Sequence, residues 1–325
     1  MRKVLVAVFC LVFVASISFG AVKKAERRFE RPLLKPLPAA PAGPKTELRK
    51  AFAKKINAGA SLRVRCNSET FGISRARVRI WGEVTPDVSF LIQPDFAAAA
   101  TGGVAGFADV YAELRHPVCT LRFGQFLLPF AYDSSKYKVI YGGGAGPAHY
   151  NAVMSARDYG LRFTGVVPEL PGFYYDLALV NGTGTAADVN KNKDVVGRIN
   201  YKNNFFDIGL SGCYGKAGTA ETLKKDAAVD IEYKFNPYQL VAEYVVGGSA
   251  AAAAKLQESS LQLSAAFGDY EPLIKYELYD PDVNATGDGV NTLTWGIGYL
   301  FDKNTKFIVN YNIKTEETTQ AENNT

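Results

Sequence analysis

Three arginines recur at every second position in the segment SRARVRIWGEV, residues 74–84, where Arg75, Arg77 and Arg79 alternate with apolar side chains. A guanidinium group binds carboxylates and phosphates through paired hydrogen bonds, so a ladder of arginines is suited to holding or conducting anions. Successive side chains of a β-strand point to opposite faces, and the spacing therefore predicts a strand with one cationic and one apolar face. A soluble sheet could place these arginines in bulk water, whereas a membrane barrel could place them around a water-filled lumen.

Other kinds of site chemistry find little support in the sequence. The histidines are His116 and His149, and no catalytic base with an orienting partner can be named for either. Beyond the N-terminal apolar run the cysteines are Cys66, Cys119 and Cys213, whose wide spacing fits neither a disulfide framework nor a metal site. We therefore expect a protein that is not an enzyme and that holds no metal or cofactor.

The first 20 residues have the pattern of a secretory signal peptide. Arg2 and Lys3 precede a long apolar run, and Ser18 and Gly20 supply small residues at its end. The run is short for a membrane-spanning helix, so we expect cleavage after Gly20 rather than a retained anchor. The rest of the chain is then exported through the inner membrane.

Residues 21–58 form a basic, proline-rich leader with 11 Lys and Arg against 3 Asp and Glu. Its prolines favour an extended spacer, and TELRKAFAKKIN, residues 46–57, predicts a short amphipathic helix. The leader is either a solvated segment or a periplasmic tether or plug. Because it lacks interleaved aromatic residues and is exported, nucleic acid is not an expected partner.

From Gly59 onward the hydrophobic pattern has a period of two. We count 15 such segments, each roughly the nine to eleven residues that a tilted strand needs to cross an outer membrane. Tight turns such as TPD at 85–87 and NP at 236–237 alternate with longer loops such as residues 182–192. This alternation predicts an all-β, antiparallel up-and-down barrel with two different rims, spanning residues 59–325.

Two features favour a membrane barrel with its apolar face outward. Aromatic residues cluster beside the tight turns, as expected of an interfacial girdle: Trp81, Tyr201, Phe205, Phe206, Phe235, Tyr238, Phe267, Tyr270 and Phe301. A closed barrel of fifteen or sixteen strands is also too wide for side chains to fill, so an apolar lumen would be a void. The apolar face is therefore expected to contact outer-membrane lipid, and the arginines to face water.

Four segments in order, SRARVRIWGEV, LRFGQFLLPF, ARDYGLRFTG and YDLALVNGTG, resemble motifs of the phosphate-selective porin O and P family of bacterial outer membranes. The resemblance covers residues 59 to about 315 and implies a barrel of about 16 strands, a homotrimer, and passage of small anions such as phosphate. It also implies a long third loop, residues 129–156, that folds inward and constricts the pore with Lys136 and Lys138. With the other arginines of the polar face, the predicted anion pathway is lined by Arg63, Arg65, Arg75, Arg77, Arg79, Arg122, Arg162, Lys136 and Lys138.

Two features depart from that family. Residues 59–325 hold 24 Lys and Arg against 29 Asp and Glu, so bulk charge does not support strong phosphate selectivity. Some of the arginines could instead pair with wall carboxylates such as Asp95, Asp109 and Glu113. The count of 15 strands is also odd, so either one segment is miscounted or the closing strand lies beyond Thr325. A non-conducting outer-membrane anchor and a soluble secreted β-protein are the alternatives to a porin.

Overall fold

The computed structural model describes residues 8–15, 55–66, 71–98, 103–132, 157–248 and 254–316, and for 8–15 only the backbone. These residues form sixteen strands: β1 Val8–Ala15, β2 Lys55–Cys66, β3 Phe71–Glu83, β4 Val88–Asp95, β5 Gly106–Arg115, β6 Thr120–Leu127, β7 Arg157–Val166, β8 Phe173–Val180, β9 Asp194–Lys202, β10 Phe206–Ala217, β11 Thr222–Phe235, β12 Tyr238–Gly248, β13 Lys255–Ala265, β14 Tyr270–Asp280, β15 Val290–Asp302 and β16 Thr305–Glu316. Within the described ranges, no helix is long and apolar enough to cross a bilayer.

Strands β2 to β16 pair with their neighbours in sequence order and antiparallel throughout. Each of them matches one of the 15 period-two segments, so the predicted all-β up-and-down fold is confirmed. The first of these strands begins at Lys55, four residues before the predicted start of the barrel at residue 59. The predicted helix over 46–57 is therefore wrong at residues 55–57, which pair with β3, and its other residues lie outside the described ranges.

The two outer edges of this fifteen-stranded sheet both pair with β1. Val8 to Ala15 align with Asn312 to Thr305 of β16, and Leu11 to Ala15 align with Cys66 to Leu62 of β2. With β1 in place the strands form a closed barrel. Strand β1 thus occupies the closing position that was predicted for a strand beyond Thr325, although residues 8–15 belong to the predicted signal peptide. Cleavage after Gly20 stays a prediction, and it would remove β1 from the mature chain.

The tight turns lie at one end of the barrel, and a band of aromatic rings follows that end. The rings of Phe206, Tyr233, Phe235, Tyr238 and Phe267 contact one another in succession across β10 to β13, with centroids 4.6 to 5.9 Å apart. Further pairs join β8 to β9 and β14 to β15. Ring contacts at these distances add to the stability of neighbouring hairpins, and their place matches the aromatic girdle predicted from the sequence.

Exposure alternates along the strands, and the exposed residues are the apolar ones, as expected for a membrane barrel. On the outer face of β10, Ile208 and Leu210 are 41% and 63% exposed, whereas Asp207 on the inner face is 4% exposed. The same inversion holds on β11, where Val229 is exposed and Asp230 is 1% exposed. A water-soluble barrel would show the opposite arrangement. The apolar face therefore points away from the lumen and the ionic face lines it.

Candidate functional site: the lumen wall

The lumen wall is lined by ion pairs between neighbouring strands. Arg77 of β3 donates to Asp95 of β4, with Nε and Oδ2 2.6 Å apart. Arg122 lies directly opposite Glu113 in the register of β5 and β6, and its Nη2 is 2.8 Å from Oε2 of that carboxylate. These carboxylates offset much of the positive charge of the two arginines, because the fields of two opposite charges so close together largely cancel farther into the lumen.

Arg162 is the third of the predicted arginines that lies in an ion pair. Its guanidinium donates to both carboxylate oxygens of Asp176 on β8, and Nη1 donates to the carbonyl of Leu127 at 2.6 Å. Arg157, which is not among the predicted pathway residues, pairs with Asp109 at 3.1 Å. The alternative that wall carboxylates hold several of the arginines is therefore confirmed.

The remaining predicted arginines gather on β2 and β3. Arg63 and Arg75 lie opposite each other in the register, Arg65 lies opposite Gly72, and Arg79 lies opposite Gly59. The guanidinium carbon of Arg79 is 5.3 Å from the centre of the Trp81 ring. Among the described residues, Arg79 forms no ion pair with a carboxylate. Four of the predicted arginines thus share two neighbouring strands of the described wall.

Two buried ion pairs on the opposite wall cross β10 at glycines. Arg198 of β9 donates to both oxygens of Asp230 on β11 at 2.5 and 2.7 Å, and both side chains are almost fully buried. The guanidinium passes over Gly209, where a Cβ would lie 2.0 Å from Nη2 of Arg198. Lys224 of β11 likewise pairs with Asp194 of β9 at 2.9 Å, but here the carboxylate lies over the intervening glycine, since a Cβ at Gly215 would be 1.7 Å from Oδ1 of Asp194. A side chain at either glycine would occupy space that one member of the ion pair fills: the guanidinium of Arg198 at Gly209 and the carboxylate of Asp194 at Gly215.

The chain after β6 turns into the lumen. Leu128, Phe130, Ala131 and Tyr132 are at most 4% exposed. The amide of Ala131 donates to Oγ of Ser211 on β10 at 2.9 Å, and the amide of Tyr132 donates to the carboxylate of Glu243 on β12. Residues 129–132 of the predicted constriction loop therefore contact the opposite wall. Lys136, Lys138 and the rest of the loop up to residue 156 lie outside the described residues.

An apolar stripe on the inner wall underlies this loop segment. It consists of Ala178, Val180, Val196, Cys213, Ala228, Val245 and Leu256, and it packs with Phe126, Leu128, Phe130 and Ala131 in one buried cluster. This local stripe of apolar side chains leaves no void on the inner wall, because the loop segment packs beside it. The unbroken apolar run FLLPF, residues 126–130, departs from the period of two and was the available sequence signal.

Trp81 occupies a different place from the one predicted. It alternates with Arg75, Arg77 and Arg79 along β3 and therefore shares their inner face, and its ring lies beside Gly59 of β2. It is 37% exposed. Its assignment to the lipid-facing girdle is wrong, because the alternation along β3 places it on the inner face although it lies near a tight turn.

No group of three or more potential metal-ligating His, Cys, Asp or Glu side chains occurs in the part of the chain that is described.

Comparisons with known proteins agree with this architecture. A search of solved structures finds an anion-selective porin from Comamonas acidovorans at 14% identity and a TM-score of 0.57, covering 95% of this chain and 98% of that one. It also finds OmpF of Salmonella typhi in complex with daunomycin, at 12% identity and a TM-score of 0.59, covering 95% and 97% of the two chains. The trimer form of OmpT, an outer membrane protein of Vibrio cholerae, matches at 10% identity and a TM-score of 0.53, covering 95% and 98%.

These structural likenesses show the fold alone, because their sequence identities are low. A search of curated protein sequences finds no match to this chain. The model of the Gram-negative porin family matches residues 52–319, which include every strand from β2 to β16. The apolar faces of its strands point outward, ion pairs line its lumen and the chain after β6 turns inward. The chain therefore belongs to the Gram-negative porin family, the channels for small solutes in the bacterial outer membrane.

Proposed function

We propose that this porin gives passive diffusion of small hydrophilic solutes with a preference for anions, and that it has no catalytic activity. The observation that carries the preference is the arginine strip on β2 and β3, where Arg63, Arg65, Arg75 and Arg79 share one part of the lumen wall. Fixed cations along a pore replace part of an anion's hydration and release it to the next site. Membership of the phosphate-selective O and P group, and phosphate as the preferred solute, are the finer forms of this proposal.

The ion pairs of the wall support an unequal contribution of the arginines to this preference. Arg77 lies 2.6 Å from Asp95, so this pair adds little net charge to the pore. Arg79 is exposed on the same face and leaves its charge open to passing ions. We therefore assign Arg79 a larger share of the anion preference than Arg77, although the two lie on the same strand.

Reversal potentials in a potassium chloride gradient, recorded on the full-length protein in planar bilayers, test this assignment. Arg79→Gln removes one net positive charge and is expected to move the zero-current potential toward cation selectivity. The double variant Arg77→Gln with Asp95→Asn removes an ion pair without changing net charge, and is expected to leave that potential nearly unchanged. Equal shifts in both, or none in Arg79→Gln, would contradict the proposal. Replacing chloride with phosphate in the same recordings tests the solute.

Two further aspects belong to the same proposal. A barrel that carries no current at all would instead support a non-conducting outer-membrane anchor. We also propose a homotrimer, supported by the structural likeness to OmpT of Vibrio cholerae, whose structure is described as a trimer form. Chemical cross-linking of the protein in outer membranes is expected to give dimers and trimers, whereas a species that stays monomeric would contradict this.

A further inference from the structure

The lumen wall carries a row of apolar side chains beside the arginine strip. In the register of the sheet Trp81 of β3 lies opposite Leu91 of β4, which lies opposite Tyr111 of β5. Leu91 is 5% exposed, so neighbouring side chains cover it, whereas Trp81 keeps 37% of its surface exposed. An indole surface left open to water is unfavourable, and its burial against an apolar partner would recover that free energy.

The charges around this row favour an anionic partner. Arg79, two residues before Trp81 on the same face, has its guanidinium carbon 5.3 Å from the centre of the indole ring. The acidic side chains next to it are engaged elsewhere: Glu83 pairs with Arg115 at 3.2 Å, and Glu113 pairs with Arg122 at 2.8 Å. A carboxylate that enters this part of the lumen therefore finds Arg79 beside an exposed aromatic surface.

Resting on the function proposed above, we propose that Trp81 and Arg79 form a binding site for aromatic carboxylates on the lumen wall. The carboxylate of the solute binds the guanidinium of Arg79, and its ring packs on the indole of Trp81. Both residues lie in the last part of β3, which ends at Glu83 next to a tight turn. The site therefore lies toward the short-turn rim, at the end of the barrel opposite the long loops.

Benzoate, with acetate and cyclohexanecarboxylate as comparison solutes, tests the proposal. The chain has two tryptophans, and Trp295 lies on the outer face of β15 with 56% of its surface exposed. The variant Trp295→Phe thus leaves Trp81 as the one indole fluorophore. Titration of this variant in detergent is expected to show saturable quenching by benzoate, with acetate and cyclohexanecarboxylate binding more weakly by roughly tenfold.

Planar-bilayer recordings give the second measurement. Benzoate is expected to reduce the chloride current of the wild type and of Trp295→Phe in a saturable way. In Trp81→Ala and in Arg79→Gln the apparent affinity should fall by roughly tenfold. Trp81→Phe keeps an aromatic ring and is expected to retain most of the effect. Its chloride current also shows that a change at this position leaves the barrel folded.

The possible outcomes separate this inference from the proposed function. A normal chloride current with no benzoate response in either assay overturns the site and leaves the porin function standing. Equal binding of benzoate and cyclohexanecarboxylate, or of benzoate and acetate, overturns the aromatic specificity. Saturable quenching of Trp81 in a protein that conducts no ions supports the site and contradicts the channel.

Discussion

Replacing Gly209 by alanine is expected to destabilise the barrel, because the new methyl group would collide with the side chain of Arg198 on the neighbouring strand. A Cβ at this position would lie 2.0 Å from Nη2 of Arg198 and 2.4 Å from its guanidinium carbon. The guanidinium of Arg198 must therefore shift, and we expect its bonds to Asp230 at 2.5 and 2.7 Å to break. Asp230 is 1% exposed and would remain buried without this partner.

The magnitude follows from the burial of this pair. Separating the partners of a buried ion pair costs about 3 to 5 kcal/mol, since an uncompensated charge is left behind. The gain in strand propensity from glycine to alanine is smaller than about 1 kcal/mol. Gly209→Ala is thus expected to lower the free energy of unfolding by a few kcal/mol. Urea titration of the barrel in lipid vesicles, followed by tryptophan fluorescence, measures it.

Two matched variants isolate the cause. Gly212→Ala lies on the same strand, but its Cβ would meet no atom closer than 3.5 Å, so it is expected to change stability by less than about 1 kcal/mol. In a background of Arg198→Ala with Asp230→Asn the obstruction is absent, and Gly209→Ala should then have almost no effect. If Gly209→Ala costs as much in that background as in the wild type, the close approach of Arg198 is not the reason for the glycine.

Three more predictions concern the loop, the N-terminus and one outer aspartate. Ser211→Ala removes the acceptor of the Ala131 amide and weakens loop anchoring by about 1 kcal/mol, so single-channel current noise should rise relative to a Ser264→Ala control; unchanged noise would count against this anchor. Sequencing the N-terminus of protein purified from outer membranes should give Ala21, which would exclude β1 from the mature barrel, whereas a start at Met1 would retain it. Hydrogen bonds from the amides of Lys255 and Asn284 hold the pKa of Asp282 below its usual value of 3.8. This carboxyl ionises more easily in the folded loop than in the unfolded chain. Its contribution to the stability of the loop is therefore complete above the pKa of the unfolded state and is lost as the pH falls through the lower pKa of the folded state. The hydrogen-exchange rate of the Lys255 amide, after correction for the intrinsic effect of pH on exchange, should rise over this pH range in the wild type. In Asp282→Asn the corrected rate should not change over the same range.

The sequence by itself determined strands β2 to β16 and the orientation of their faces. A period of two fixes which side chains share a face, and the segment FFDIGLSGCYG, residues 205–215, lies almost wholly within β10, whereas AVDIEYKF, residues 228–235, is the second half of β11. Barrel width then required the apolar face to point outward, since fifteen or more strands enclose a space that side chains cannot fill. Both constraints, the alternation of side chains within a strand and the width of the barrel, hold whatever contacts form between residues of neighbouring strands.

The tertiary structure alone decided how the charges are arranged. Whether an arginine is neutralised depends on register and on reach across strands, and Arg198 meets Asp230 only because Gly209 leaves room between them. The apolar stripe under Phe130 depends on where the loop enters the lumen. The period within one strand carries no information about its neighbours' register, so these contacts had to be observed in three dimensions.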